Sequence, residues 1–281
     1  MGNVSQLPYL VRLLDDDTPV VREAVLREFE ELGSSLEEQL ERLGISLGRE
    51  ESRPIKHILE RNRRKALQES WTGWFTMRGD KERLEEALRM IVEFQDGKAT
   101  AATLPLLLDR LTGEYRPIPG EEDALQLAKF LFRDKGLRGV KSEEYTNARN
   151  SNLVAVIEEK RGIPITLACV YILIGHRLGL AIEGCNFPGH FLAIARKQRE
   201  RVLIDCYGGG RAITQDDLAE IDSKVSLKDI LRLECRSAAI VARVLRNLKS
   251  AYEHERIPEN VRLMDSLLKI MNAEESLSPL R

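Results

Sequence analysis

The sequence predicts an α+β protein that is mostly helical, with a small antiparallel sheet held between helical N- and C-terminal regions. Three observations carry this. Charged residues make up 31% and aromatics 5% of the 281 residues, with Leu, Ala, Arg and Glu recurring at helical spacing. One run, IPITLACVYILIGHRLGL from Ile163, is apolar nearly all round, as in a helix buried on most faces. Beyond it, AIEGCNFPGHFLAIA and RVLIDCYGG are rich in β-branched and apolar residues and are joined by the charged turn RKQRE, as in an antiparallel strand pair.

The length suits two or three domains, here a helical N-terminal region (1–98), a core (99–222) and a C-terminal helical pair (223–281). A net charge of −2 gives no electrostatic reason to bind nucleic acid or an anionic membrane. MGNVSQLPYL has no signal-peptide character, and ITLACVYILIG is about half the length of a membrane span. A soluble, cytoplasmic protein is expected. Cys169, Cys185, Cys206 and Cys235 lie far apart with no CxxC pair, so reduced thiols are expected and a zinc site is not. Nothing in the sequence demands a metal or cofactor, and nothing encodes an oligomeric state.

In chain order, QLPYLVRLLDDDTPVVREAVLREFEELG reads as two helices broken at Asp15–Thr18, with Thr18 as N-cap and Pro19 in the next first turn. Leu10, Leu13 and Leu14 are the expected apolar stripe of the first, Val21, Ala24, Val25 and Leu32 that of the second. The acidic turn followed by Pro and Val-Arg resembles a single HEAT unit. Residues 53–77 and 80–95 predict longer helices, with Leu67, Trp71, Trp74 and Phe75 as core. Another helix runs from Ala99 to Leu111, EYRPIPGEED breaks it, and Ala124–Phe132 resumes.

Asn150–Asn152 can cap the helix LVAVIEEK, which Arg161-Gly162 ends. Pro164 opens the buried helix and Gly179 closes it. Gly184, Pro188 and Gly189 suggest a bulge before His190. CYGGGR lacks a phosphate-loop pattern, so its glycines predict a tight turn that leaves N–H groups facing a ligand. Thr214 caps TQDDLAE, and two tail helices follow, Arg236–His254 and Pro258–Met271, before a frayed end.

Helix, strand with His, strand with Asp resembles the transglutaminase-like branch of the papain-type fold. More closely, RNSNLVAVIEEKRGIPITLA, FPGHFLA, LIDCYGGG and RNLKSAY resemble the SirB-like family of transglutaminase-related bacterial proteins, which carry a tetratricopeptide-type tail. The resemblance implies a cysteine at the start of the buried helix, His190 as its base and Asp205 as orienter of that His. Pro164 stands where the cysteine belongs, so the nucleophile is absent while the His190 and Asp205 dyad is retained. Asn152, Thr166, Gly189, Tyr207 and Gly208 are the expected ligand-binding positions around it.

Three functions follow. The first is a degenerate enzyme that binds a peptide or protein partner through the former cleft. The second is a working thiol hydrolase or acyltransferase. Cys169 is rotated away along its helix and Cys206 has the wrong strand parity, which leaves Cys185 as its nucleophile if a bulge at Pro188-Gly189 reverses the parity. Thr166 is its other candidate. The third is a helical scaffold in which His190 and Asp205 only hold the sheet together.

Overall fold

The computed structural model describes residues 6–33, 35–45, 52–116, 124–187, 189–197, 200–217 and 226–277. Four helices open the chain: α1 (Leu7–Arg12), α2 (Pro19–Leu32), α3 (Ser35–Arg42) and α4 (Ser52–Ser70). Pro19 starts α2 because its fixed φ suits a first turn and its missing N–H costs nothing there. The Thr18 hydroxyl makes no cap; instead Asp16 Oδ1 accepts the Thr18 N–H at 2.8 Å. The stripe of α1 also differs in part from expectation. Leu7, Val11 and Leu14, at i, i+4 and i+7, are buried and Leu10 packs partly buried beside them, whereas Leu13, at the start of a 3-10 turn over Leu13–Asp15, is 40% exposed. The three buried residues close a cluster with Val25, Phe29, Leu36, Leu40 and Ile55.

The main core is one continuous cluster from Leu67 to Met271. Trp71 and Trp74, in a 3-10 turn after α4, lie inside it. Its helices are α5 (Asp80–Asp96), α6 (Lys98–Glu114), α7 (Ala124–Lys129, extended by a π turn at Phe130–Asp134), α8 (Leu153–Glu159) and α9 (Pro164–Arg177). Every residue of α9 from Pro164 to Gly175 is buried. A helix apolar on all faces needs cover on all faces: α6, α7 and α8 supply it on one side, and strands β3 (Ile182–Cys185) and β4 (Leu192–Lys197) on the other. Each Leu, Ile or Val so enclosed contributes about 1.5–3 kcal/mol.

The sheet has the order β6-β5-β4-β3-β7, all neighbours antiparallel, with β5 at Glu200–Asp205, β6 at Arg211–Ile213 and β7 at Glu234–Cys235. The segment AIEGCNFPGHFLAIA is therefore two strands rather than one. β3 turns back on β4 through residues 186–191, with Cys185 opposite Leu192. Alternation then sorts the side chains: Ala193, Ala195 and Ile204 face the main core, whereas Cys185, Leu192, Ile194 and Leu203 form a second layer closed by Ile230 of α10 (Leu227–Ile230). A short parallel pair, β1 (Arg138–Gly139) and β2 (Arg161–Gly162), leads into α9.

Two tail helices, α11 (Ser237–His254) and α12 (Pro258–Leu277), complete the fold. Val241, Val244, Leu245 and Leu248 seat α11 in the main core. Asp80, in the first turn of α5, accepts the Ser237 hydroxyl at 2.9 Å and its N–H at 3.2 Å, so one carboxylate satisfies the start of α11 from a distant part of the chain.

Gly210 closes the turn after β5 with φ +73°, and a Cβ there would stand 2.4 Å from the Phe132 ring and 3.1 Å from the Ala128 carbonyl oxygen. Gly210→Ala is expected to lose about 2–4 kcal/mol, from left-handed strain and overpacking together. Gly113→Ala, at a helical position with open space around it, is expected to gain up to about 1 kcal/mol. Chemical denaturation of both variants checks the contrast.

Candidate functional site

His190 precedes β4 rather than lying on it. Its N–H donates to the Phe187 carbonyl at 3.1 Å, which closes the turn that Gly189 makes with φ +73°. Pro188, the other half of the expected bulge, lies outside the described residues. Asp205 ends β5, and its Oδ1 lies 3.0 Å from His190 Nε2. The same oxygen accepts the Gly208 N–H at 2.8 Å, and the Asp205 carbonyl accepts the Gly210 N–H at 2.8 Å. Burial opposes the charge on Asp205, but the bonds from His190 and the Gly208 N–H outweigh it and hold the carboxyl below its ordinary value. Gly208 has no alternative, since a Cβ there would meet Asp205 Oδ2 at 2.4 Å. The Gly208 and Gly210 N–H groups are thus turned on Asp205 rather than outward. Among the described residues His190 Nδ1 has no partner, and the side chain is 29% exposed.

Tyr207 lies edge-on to His190, ring centres 6.0 Å apart, and its hydroxyl donates to the Val140 carbonyl. Val140 in turn donates its N–H to the Gly162 carbonyl at 3.1 Å. A Cβ on Gly139 would enter the Tyr207 ring at 2.4 Å, so only glycine leaves room for it. Tyr207 therefore links the dyad to the β1/β2 pair that delivers α9. From the tail, Arg243 donates to Asn186 Oδ1 and to the Phe187 carbonyl and lies over the Phe191 ring, 5.5 Å from its centre. It pins both flanks of the His190 turn. Tyr145 stands in the field of Arg243 and Tyr207, its phenol pushed up by burial. Beside it, a cavity of about 50 Å³ is lined by Tyr145, Ser151, Ile163, Asn247 and Ser250 at the entry to α9.

The other predicted positions fall as follows. Pro164 is the first residue of α9 and is buried. Thr166 is fully buried, and its hydroxyl donates to the Ile163 carbonyl at 3.1 Å. Asn152 caps α8, accepting the Ala155 N–H at 3.1 Å, and lines a separate cleft with Asp96. Cys185 sits in the second apolar layer with its thiol directed at the Ile230 carbonyl, 3.7 Å away, and burial pushes that thiol up to about 11. Burial likewise pushes Cys235 up to about 12 and raises Cys169 and Cys206, both enclosed in the main core. No hydrogen bond joins a thiol to His190 among the described residues. Arg243 and Tyr145 went unread in the sequence. For Arg243 the one signal was its place with Asn247 and Ser250 at i, i+4, i+7 on a polar face of an amphipathic helix; Tyr145 carried none.

Among the described residues no group of His, Cys, Asp or Glu converges as a metal site, and no helix is long and apolar enough to cross a membrane. The profile of the transglutaminase-like superfamily matches residues 98–246. A UPF0162 protein of Xylella fastidiosa is 33% identical over 160 residues, covering 53% of this chain and 56% of its own. A UPF0162 protein of Haemophilus influenzae is 32% identical over 103 residues, 37% of this chain and 38% of that one. Human F-box only protein 21 is 29% identical over 142 residues, 44% of this chain and 21% of that protein. The chain spans about half the length of the first of these relatives and less of the others. No solved structure gives a significant match.

Asp205→Asn is expected to cost about 1.5–3 kcal/mol, the worth of hydrogen bonds to a charged acceptor. Because the folded carboxyl titrates below its unfolded counterpart, the difference from wild type is complete above about pH 4 and shrinks as pH falls through the folded value. Denaturation curves of both proteins from neutral to acid pH measure it.

Proposed function

Since the chain belongs to the transglutaminase-like superfamily, whose profile takes in more than half of it, we propose that it binds a peptide or protein segment at the His190 cleft and performs no thiol chemistry there. The observation that carries this is the pairing of an intact His190 and Asp205 dyad with Pro164 at the start of α9. A nucleophilic cysteine acts as thiolate in an electropositive, accessible setting. Here all four thiols are buried and held protonated. What remains is recognition chemistry: an unpartnered ring nitrogen, a tyrosine edge and an arginine-braced turn.

The finer reading is a SirB-like protein with a HEAT-like first helix pair, α1 and α2, and a tetratricopeptide-type tail pair, α11 and α12. The order of the motifs around His190 and Asp205 supports it.

Selection from a random peptide display library, followed by calorimetry on the chosen peptides, tests the binding. His190→Ala should weaken them at least tenfold, about 1.4 kcal/mol; unchanged affinity would mean the cleft is not the binding surface. Thiol reagents test the second half. At pH 8 a thiol titrating near 11 is ionised in roughly one molecule in a thousand, so native protein should resist labelling until it is unfolded. Fast labelling of Cys185 that drops in His190→Ala would restore the hydrolase or acyltransferase reading.

A further inference from the structure

The polar face of α11 runs past the His190 turn. Arg243 donates to the Phe187 carbonyl at 3.3 Å, and one and two turns further along the same face Asn247 and Ser250 line the small cavity beside Tyr145. At about 1.5 Å per residue, these two lie about 6 and 10 Å beyond Arg243 along the helix axis. An extended peptide advances about 3.3 Å per residue. A segment seated at His190 and lying along α11 therefore reaches the cavity two or three residues on.

The walls of the cavity are already in place. In the loop that forms one of them, Asn150 donates its side-chain amide to the Glu144 carbonyl at 2.6 Å and to the Tyr145 carbonyl at 3.4 Å. Ser151 ends the short 3-10 turn that follows and is 2% exposed. Its hydroxyl has no partner among the described residues and is not sealed, so the surface it keeps opens on the cavity. The side chains of Thr146, Asn247 and Ser250 line the same space, also without a hydrogen-bond partner among the described residues. Ile163, the residue before α9, and Ala251 are buried and add apolar wall. No Asp, Glu, Lys or Arg lines it among the described residues.

These walls select on three counts. A charged side chain would lose its water and find no counter-ion. About 50 Å³ holds on the order of three to five water-sized groups, too few for a ring or a long chain. Unpaired hydroxyl and amide groups call for a partner that both donates and accepts, which a hydroxyl does and an aliphatic side chain does not. Threonine meets all three, since its methyl suits Ile163 and Ala251 and its hydroxyl suits Ser151 and Asn247. We propose that this cavity is a side-chain pocket for threonine, or for serine with less apolar contact, in the peptide segment held at the His190 cleft; the inference rests on that reading of the cleft and adds the residue it selects.

A positional-scanning peptide library, followed by calorimetry on the full chain, tests the pocket. Bound peptides should carry threonine or serine at one position, two or three residues from the position that His190→Ala affects most. Replacing that threonine by valine, its isostere, should weaken binding at least tenfold, because the lining groups are left unpaired. Ser151→Ala and Asn247→Ala, each with an unchanged thermal midpoint, should narrow the threonine-to-valine ratio, a change that a loosened fold does not produce. Ser250→Trp, at an exposed position, should fill the cavity and abolish the preference. The pocket is overturned if threonine and valine peptides bind alike, if a charged, aromatic or asparagine side chain is preferred, or if all three variants keep the wild-type ratio. A threonine preference indifferent to His190→Ala would keep the pocket and overturn the cleft. Sensitivity to His190→Ala without a threonine preference would keep the cleft and overturn the pocket, and a library that yields no binder overturns both.

Discussion

A helix with no polar face cannot lie on a surface, and the whole architecture answers that constraint. From Pro164 to Gly175 no side of α9 meets water. The chain must therefore supply two covers, helical on one side and a sheet on the other, and must bring the tail helix α11 in to seal the seam. The sheet that results is double-sided, because β3 and β4 place Ala193 and Ala195 against α9 and Leu192 and Ile194 against α10. The second apolar layer is a by-product of enclosing the first.

The His190 and Asp205 pair sits at the rim of that enclosure, where β5 ends and the turn before β4 closes. Asp205 is fixed by a glycine turn that folds back on its carboxylate, and His190 by a tight turn that Arg243 clamps from another helix. Small residues matter here for the space they leave: Gly139 admits the Tyr207 ring, and Gly210 admits Phe132. Position in this site is set by excluded volume as much as by attraction.

Much of this was legible beforehand. The apolar run after Gly162 read as a buried helix because its periodicity vanishes, and His190 and Asp205 stood out by their place on successive β segments. The division of AIEGCNFPGHFLAIA into two strands was missed, since its apolar content on both sides of the turn reads as continuous. In α1 the expected stripe is met at Leu14 and in part at Leu10, while Leu13 faces outward: the seam runs through Leu7, Val11 and Leu14 at i, i+4 and i+7, and in so short a helix the adjacent leucines fit either seam equally well. Arg243 was invisible for a different reason. Its role depends on where a helix more than fifty residues downstream of Asn186 comes to rest, which is tertiary information. The fate of the cysteines was partly readable: strand parity sent Cys206 to the core, whereas the apolar shelter of Cys185 needed Ile230, a residue with no sequence mark.

The bond between Asp80 and Ser237 carries a consequence for the order of events during synthesis. Its partners are 157 positions apart, and α5 and α11 share one buried surface. A chain emerging from the ribosome can form α1 to α4 early, around their own small cluster. The main core has to wait: until α11 has left the exit tunnel, part of the wall around α9 is missing. High sequence separation between essential contacts slows closure, so once α9 has been made its apolar surface stays incompletely covered while the sixty residues from Leu178 to Ser237, and then α11 itself, are added.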